Sequence, residues 1–272
     1  MFEKINSKVI NISYSKLVDL EDVPWNTVEL YETACKLGFD GVKGDVTPSS
    51  DGKLIMCHDP SFDFDENGRV LEIGIKGVEH REISDMTYAE CKSLEYAVEA
   101  AKEKYGYYPK VTELEDLVRV CHKYSAFPYI TVRDKQIPLC VDETYRIVKK
   151  YDMTKNCMVN SFTMETLETM RKKDKEIWLS YVQDLNIPLE KRMIDEAVEL
   201  GNCLVCAFWQ TTKQPIFDDM YEKSREAIEY AKEKGVILYL AHGVHNADYK
   251  LGIERGFRGF QCLTSHAFAE KV

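Results

Sequence analysis

The chain has 272 residues, of which 44% are hydrophobic and 30% are charged, so it is long enough to bury a large hydrophobic core. Its formal net charge of -10 disfavours binding to nucleic acid or to an anionic membrane, because both need a basic surface. No segment approaches the length of a membrane span and the N-terminus lacks the apolar run of a secretory signal, so we expect a cytoplasmic protein.

Short apolar β-patterns alternate with amphipathic helical patterns along the chain, and no low-complexity linker separates them. The predicted strands span residues 9–13, 40–46, 128–133, 157–161, 177–182, 203–208, 236–241 and 259–263. Helical patterns fill most of the intervals, at residues 27–37, 112–124, 142–151, 164–173, 189–200, 220–234 and 247–255. Eight strands joined by helices are what a closed parallel barrel requires, so we predict one (β/α)8 TIM-barrel domain over residues 1–272.

The interval between the second and third predicted strands is about eighty residues long, far more than a βα connection normally needs. It begins with a turn at Asp51-Gly52 and a β-pattern over residues 54–57, which returns the chain to the preceding strand. A glycine-rich stretch and a helical pattern near residues 88–104 follow. We predict that residues from about 60 to 105 form a small insertion over the mouth of the barrel.

In a TIM barrel the side chains at the carboxyl ends of the strands share one pocket, and polar residues occupy several of these positions here. Lys43 and Asp45 stand two apart on the second strand, so both leave the same strand face. The returning β-pattern brings His58 beside them, and Thr131 and Arg133 share one face of the third strand. We predict that these five residues line the pocket.

Aromatic and histidine residues follow the later strands. Trp209 follows the sixth strand, His242 and His245 follow the seventh, and His266 follows the eighth. We expect Trp209 and His242 to contact a substrate, although Trp209 could equally be a packing residue and the histidines polar loop residues. Three imidazoles from two adjacent strand ends would also suit an acid–base pair or a transition-metal site. However, the sequence has no pair of histidines four residues apart on a helix, the spacing that would support a metal site.

The stretch GFDGVKGDVTPSSDGKLIMCHDPSF, between Gly38 and Phe62, strongly resembles the signature of the glycerophosphodiester phosphodiesterase family. The pieces that match this signature are Asn26-Thr27, Gly38-Phe39-Asp40-Gly41, Lys43-Gly44-Asp45-Val46, Asp51-Gly52 and His58-Asp59-Pro60. The resemblance implies a TIM barrel with an insertion after the second strand. It also implies a phosphoric diester hydrolase of lipid metabolism that acts on a small phosphodiester.

As the resemblance implies it, the family's reaction uses two histidines as general acid and base, together with a magnesium or calcium ion held by two glutamates and an aspartate. This chain keeps the aspartate as Asp45 and the second histidine as His58. Other positions depart from the family pattern. Ser13-Tyr14 stand where the family has a His-Arg pair, and Trp25 stands where it has the glutamate of Pro-Glu-Asn-Thr. Lys43 and Thr131 replace the two glutamates that hold the metal, and Arg133 replaces a lysine.

These departures bear on metal binding. Asp45 alone offers too few oxygen ligands for a hard cation. An ammonium on Lys43 about 4 Å from a divalent ion would be repelled by roughly 8 kcal/mol at an effective dielectric near 20. We therefore expect no cofactor and no metal-ligand set. Lys43 and Arg133 would instead form a pocket for phosphate or carboxylate, and the alternative is a buried Lys43–Asp45 ion pair that fills an abandoned site.

Two functions stay open at this point. The first is a phosphodiester hydrolase or cyclising lyase, with catalytic residues His58, Lys43 and Asp45 and with substrate-binding residues Arg133, Thr131, Trp209 and His242. The second is a catalytically silent barrel that holds a phosphorylated or acidic metabolite. His58 would transfer a proton in the first case and only orient a loop in the second.

Overall fold

The structure is a computed structural model that describes residues 9–133, 136–210, 214–244 and 246–265, without the side chains of residues 214 and 242–248. Its strands are β1 (Ile10–Ser13), β2 (Gly41–Pro48), β3 (Leu54–Met56), β4 (Ser61–Phe64), β5 (Glu79–Glu82), β6 (Phe127–Val132), β7 (Met158–Ser161), β8 (Trp178–Val182), β9 (Cys203–Phe208), β10 (Leu238–Val244) and β11 (Gly259–Cys262). Its α-helices are α1 (Val28–Leu37), α2 (Tyr88–Ser93), α3 (Glu99–Tyr105), α4 (Leu114–Tyr124), α5 (Ile137–Lys150), α6 (Met164–Lys173), α7 (Lys191–Leu200), α8 (Gln214–Lys234) and α9 (Asn246–Glu254). None of the helices in these ranges is long and apolar enough to cross a lipid bilayer.

A closed barrel of parallel strands forms the centre of the described residues. Its strand order is β1-β2-β6-β7-β8-β9-β10-β11, and pairing of β1 with both β2 and β11 closes the sheet. This confirms the predicted (β/α)8 TIM barrel. The strand boundaries lie within three residues of those predicted from sequence, and β3 pairs antiparallel with β2 after the predicted Asp51-Gly52 turn.

Local sequence explains where the helices begin and end. The Thr27 hydroxyl accepts a hydrogen bond from the amide of Leu30 at the start of α1, and Gly38 ends that helix with φ of 88°. Two helices begin earlier than their apolar patterns predict. Pro138 and Pro215 lie in the first turns of α5 and α8, where proline suits a helix start.

The alternation of side chains along β2 directs the polar residues into the barrel. Gly44 faces outward, and a Cβ atom there would overlap the side chain of Met56 and approach Leu117 Cδ2 to 3.0 Å. Helix α4 and β3 therefore pack directly on the strand backbone at this point. Because the side-chain period of a strand is two, Lys43 and Asp45 on either side of Gly44 both point inward.

The segment between β3 and α4 contains the hairpin β4–β5 and the short helices α2 and α3. The single helical pattern predicted near residues 88–104 is broken, because residues 94–98 lie extended and form β-bridges from Tyr96 to Val70 and from Glu95 to Lys110. This segment has a small core of its own. Its attachment to the barrel mouth includes Lys16, a buried residue whose ammonium donates to Glu72 Oε1 at 2.7 Å.

A second attachment of this segment gives a testable pH dependence. Asp116 on α4 accepts a hydrogen bond from Lys92 Nζ on α2 at 2.7 Å and another from the amide of Glu113 at 3.2 Å. Burial acts to raise the pKa of Asp116, but the hydrogen bond and charge of Lys92 with the other donors outweigh it and lower this pKa. A carboxyl group whose pKa is lowered by folding contributes stability above its unfolded pKa and loses it as the pH falls.

We therefore expect Asp116→Asn to lower the free energy of unfolding at pH 7 by about 1–3 kcal/mol, because charged hydrogen bonds are lost. The difference between the wild type and the variant should shrink below about pH 4. There the Asp116 carboxyl group takes up a proton in the unfolded chain before it does so in the folded protein. Urea unfolding at pH 7 and at pH 3 measures both differences. Equal differences at the two pH values would contradict this account of Asp116.

Candidate functional site

A cavity of about 420 Å³ opens among the carboxyl ends of the barrel strands. Every barrel strand contributes a lining side chain, either from within the strand or from the residues directly after it. This is the end of a TIM barrel at which ligands bind. The cavity is therefore the candidate site, and its walls differ in charge from one side to the other.

Charged residues from β2 and β6 form one wall of the cavity. Lys43 Nζ lies 2.5 Å from Asp45 Oδ2, and both side chains are buried. Ser15 Oγ donates to the same carboxylate oxygen at 3.2 Å. Arg133 Nη2 lies 3.7 Å from Asp45 Oδ1, an oxygen that has no hydrogen-bond partner among the described residues. Asp45 thus holds one ammonium closely and leaves the guanidinium of Arg133 at a longer distance.

The protonation of this cluster follows from burial and from its charges. Burial lowers the pKa of Lys43, and the charge and hydrogen bond of Asp45 only partly offset it. Burial acts to raise the pKa of Asp45, but the charges of Lys43 and Arg133, together with that of His58 when its imidazole is protonated, outweigh burial and hold this pKa below its ordinary value. Asp45 is therefore ionised at neutral pH and attracts both cations.

Aromatic rings support Lys43 and His58. The ammonium of Lys43 lies 4.6 Å from the ring centroid of Tyr14, a cation–π distance. Trp25 packs edge-on between Tyr14 and His58, with centroid distances of 5.8 Å to each. Burial raises the pKa of the Tyr14 hydroxyl, so this ring stays neutral beside the ammonium. The sequence shows Tyr14 only as a departure from the family pattern, and its contact with Lys43 is visible only in the fold.

His58 is oriented by its chain neighbour. Its Nδ1 atom lies 2.8 Å from Asp59 Oδ1. The carboxylate accepts a hydrogen bond from Nδ1–H, which places the proton of a neutral imidazole on that nitrogen and leaves the lone pair on Nε2. His58 lines the cavity, so Nε2 is the atom available for proton transfer there.

A buried network of polar side chains forms the floor of the cavity. Asn160 Nδ2 donates to Thr131 Oγ1 at 3.2 Å, and Asn160 Oδ1 accepts from Ser180 Oγ at 2.8 Å. The hydroxyl of Tyr239 donates to the same Asn160 oxygen at 3.3 Å and also contacts the Tyr129 hydroxyl. Sequence reasoning missed Asn160 and Tyr239, although alternation along the strands directs both inward. The network fixes the rotamer of Thr131.

The wall formed by β7, β8 and β9 is aromatic and acidic. Phe162 follows β7 and Phe208 ends β9, and their rings pack edge-to-face with centroids 6.1 Å apart. Asp184, which follows β8, lines the cavity beside them. In the described part of the chain Asp184 forms no ion pair. Sequence reasoning missed these three residues, although their positions just after strand ends mark them as candidates.

The structure brings the five residues predicted from the strand pattern into one cavity: Lys43, Asp45, His58, Thr131 and Arg133. Their roles in chemistry stay predictions. The side chain of His242 and all of His245 and His266 lie outside the described residues.

The prediction that Trp209 contacts a substrate is corrected by the structure. Trp209 is fully buried and does not line the cavity. Its indole Nε1–H donates to the carbonyl oxygen of Ile187 at 2.8 Å, and its ring packs against Phe217 and Phe257 at centroid distances of 6.2 and 5.6 Å. Cys206 and Phe208 take the inward positions of β9, so alternation directs Trp209 outward, into the layer between barrel and helices.

Trp209→Ala should therefore affect stability without affecting ligand binding. Removing a buried indole from a packed core costs about 3–5 kcal/mol in the free energy of unfolding. We expect urea unfolding to show a loss of this size, while the dissociation constant for a phosphate ester changes less than about twofold. A tenfold weaker affinity in a variant that is still folded would return Trp209 to the binding site.

The residues around Asp45 do not fit a hard divalent cation. Such an ion takes six or more oxygen ligands, whereas the groups at hydrogen-bond or ion-pair distance from Asp45 are an ammonium, a guanidinium and a hydroxyl. In the ranges that the structure describes, no three histidine, cysteine, aspartate or glutamate side chains are placed together to hold a metal ion.

Comparison with known proteins identifies the family. A model of the glycerophosphoryl diester phosphodiesterase family matches residues 20–259. The chain belongs to this family. A curated glycerophosphodiester phosphodiesterase of Caldanaerobacter subterraneus subsp. tengcongensis is 25% identical over 162 residues, which are 57% of this chain and 59% of that protein. The match thus spans less than two thirds of the relative's own length.

Solved structures of glycerophosphodiester phosphodiesterases share the fold. One from Silicibacter pomeroyi superimposes with a TM-score of 0.74 at 17% identity, covering 96% of this chain and 92% of that one. A phosphodiesterase of Oleispira antarctica, determined in complex with the product sn-glycerol-3-phosphate, superimposes with a TM-score of 0.68 at 14% identity, covering 95% and 93%. This member of the glycerophosphoryl diester phosphodiesterase family therefore shares the TIM-barrel fold of these solved structures.

Proposed function

We propose that this protein is a phosphoric diester hydrolase that binds its substrate in the barrel cavity without a divalent cation. The observation that carries the proposal is the position of the Lys43 ammonium, buried in the cavity wall 2.5 Å from Asp45 Oδ2. The family resemblance assigns metal ligands to these two positions. A fixed ammonium there supplies the positive charge that phosphoryl oxygens need.

Phosphate binding would rest on Lys43 and Arg133. Arg133 has a side chain that is 40% exposed, and its Nε atom has no hydrogen-bond partner among the described residues. A guanidinium in this state can turn two N–H groups toward phosphate oxygens, while the lysine contributes a point charge. Thr131, held by Asn160, would add a hydroxyl donor on the same side. The relative from Oleispira antarctica that binds sn-glycerol-3-phosphate supports a phosphate-bearing ligand.

Proton transfer would rest on His58 and Lys43. Nε2 of His58 accepts a proton from the attacking water molecule as the water oxygen bonds to phosphorus. Asp59 keeps the imidazole in the required tautomer and stabilises the imidazolium that forms. The ammonium of Lys43, whose pKa is lowered by burial, offsets the charge on the phosphoryl oxygens and protonates the leaving oxygen as the ester bond breaks. Asp45 holds the Lys43 side chain in place before and after it gives up this proton.

We also propose that residues 1–272 act as one domain and that the insertion near residues 60–105 limits access to the cavity. A smaller cleft between the insertion and the barrel includes His58 and Trp25 beside insertion residues. The Lys16–Glu72 ion pair fastens the two together at this point.

Turnover measured with and without metal tests the proposal. The protein is dialysed against EDTA and assayed by ³¹P NMR on glycerophosphodiesters and on an aryl phosphodiester. We expect the rate to be unchanged within about twofold when magnesium or calcium is restored. An activity that vanishes in EDTA and returns with either cation would overturn the metal-free site.

A second candidate function is a silent barrel that binds a phosphorylated or acidic metabolite. The observation in its favour is that His58 provides the single imidazole among the described side chains of the cavity. An in-line displacement normally uses an acid and a base on opposite sides of phosphorus. Binding of phosphate esters with no turnover in either condition would establish this second function.

A further inference from the structure

We propose that Cys35 and Cys121 form a reversible disulfide bond when the folded protein meets an oxidant. Helices α1 and α4, which carry them, end just before β2 and β6 begin, so the pair lies at the amino end of the barrel, away from the cavity. The inference therefore does not rest on the proposed function. The bond would close a loop that contains β2, β3 and the whole insertion, and with them Lys43, Asp45 and His58.

The last turns of α1 and α4 lie side by side. The ammonium of Lys123 on α4 donates to Glu32 Oε1 on α1 at 2.9 Å. The ammonium of Lys36 on α1 lies 6.0 Å from the ring centroid of Tyr124 on α4. The two cysteines belong to the same turns as these residues. Two contacts between side chains thus hold together the helix ends that carry the thiols.

The two thiols meet in the contact between these helices. Cys121 is fully buried, and its thiol makes a side-chain hydrogen bond with the thiol of Cys35. Both residues pack in the hydrophobic layer between the helices and the barrel. A disulfide bond is about 2 Å long and joins Cα atoms about 4.4–6.8 Å apart. Two thiols in hydrogen-bond contact reach this length mainly by rotation of their side chains, so little backbone movement is needed.

Exposure gives the two cysteines different roles. All nine cysteines of the chain lie in the described ranges, and Cys35 is partly exposed while the other eight are buried. Burial raises the pKa of Cys121, and the neighbouring thiols of Cys35 and Cys157 raise it further. A buried thiol with a raised pKa does not react with a dissolved oxidant. Cys35 is therefore the thiol that meets the oxidant, and Cys121 is the thiol that completes the bond.

The reaction consists of two thiol–disulfide exchanges. The Cys35 sulfur attacks a low-molecular-weight disulfide, such as oxidised glutathione, which gives a mixed disulfide and releases one glutathione thiol. The Cys121 sulfur then attacks the Cys35 sulfur and releases the second glutathione. The proton of each attacking thiol passes to the thiolate that leaves. Two protein thiols are oxidised and one oxidised glutathione is reduced to two thiols. Contact between the two sulfur atoms offsets the high pKa of Cys121 in the second step.

Mass spectrometry tests the proposal on the full chain. The folded protein is treated with oxidised glutathione, its remaining thiols are blocked with iodoacetamide, and it is digested without reductant. We expect one cross-linked peptide pair, Cys35 with Cys121, a mass lower by two hydrogen atoms and no bound glutathione. The bond restricts the unfolded chain, so oxidation should raise the urea midpoint of unfolding by about 1 M, and dithiothreitol should reverse the increase.

Three variants separate the roles of the thiols. Cys121→Ala should retain one glutathione on Cys35, because the thiol that displaces it is missing. Cys35→Ser changes a partly exposed side chain, so it should fold, take up no glutathione and gain no stability on oxidation. Cys140→Ser removes a buried thiol from α5 and should form the bond as the wild type does.

Three results would overturn the proposal. The first is a wild type that keeps glutathione on Cys35, and the second is a wild type in which all nine thiols are blocked by iodoacetamide. The third is a bond between any other two cysteines. If Cys121→Ala does not fold, Cys35→Ser decides the question, because a stability gain on oxidation that persists in this variant would also contradict the pair.

Discussion

Replacing Lys43 with methionine is expected to weaken binding of phosphate esters strongly and to destabilise the fold. The variant leaves the buried carboxylate of Asp45 without its closest cation, and breaking a buried ion pair in this way costs about 3–5 kcal/mol. Arg133, at 3.7 Å, compensates in part, so we expect the lower end of that range. The loss of one buried charge from the phosphate site should weaken binding at least about thirtyfold. Urea unfolding and calorimetric titration with a phosphate ester measure the two effects.

The double variant Lys43→Met with Asp45→Asn separates stability from binding. Removing both members of a buried pair is often neutral for stability, so most of the lost free energy of unfolding should return, to within about 1 kcal/mol of the wild type. Affinity for the phosphate ester should stay low, because the ammonium is still missing. Recovery of binding together with stability would mean that Lys43 serves only to neutralise Asp45, as the buried-pair alternative requires.

Replacing His58 with alanine is expected to reduce turnover of a phosphodiester by a factor of about 10²–10⁴, the usual contribution of a positioned acid or base. Affinity should change little, since the phosphate charge is matched by Lys43 and Arg133. Asp59→Asn should give a smaller loss, because the amide no longer stabilises the imidazolium but the imidazole remains. Initial rates at saturating substrate, with a calorimetric dissociation constant for a product analogue, distinguish the loss of chemistry from the loss of binding.

His80→Ala is the matched control for this experiment. His80 lies exposed on β5 of the insertion, where it contacts Asp63 and Glu82, and it does not line the cavity. Its replacement should leave the rate within about twofold of the wild type. An equal loss of rate in the His58 and His80 variants would show a general effect of the substitution. An unchanged rate in His58→Ala would assign proton transfer to another group and remove His58 from the mechanism.

The results for Lys43→Met and His58→Ala together distinguish between the proposed functions. If the protein is an enzyme with a fixed ammonium in place of a metal, Lys43→Met should greatly weaken ligand binding and His58→Ala should greatly lower the turnover rate. A silent binding protein requires the first effect alone. A buried ion pair without function predicts a loss of stability in Lys43→Met and no change in ligand affinity.

Sequence periodicity determined the barrel and the position of its charged wall. Alternation along β2 and β6 is a local property of the backbone, so the pattern alone assigns Lys43, Asp45, Thr131 and Arg133 to one face of the sheet. The Asp51-Gly52 turn likewise returns His58 to that face through short-range geometry. The family resemblance then implies which of these positions depart from the family's signature.

Tertiary structure decided which side chains face one another across the cavity and which are buried outside it. Trp209 follows a strand end as Arg133 does, but it lies on the outer face of its strand and packs against Phe217 and Phe257. Alternation gives two faces, and only the folded barrel shows which of them points inward. The contact of Tyr14 with Lys43, and the placement of Asp184 opposite them, depend on closure of the barrel. Closure joins residues far apart in the chain, and their contacts are set by packing of the whole barrel, which neither periodicity nor spacing encodes.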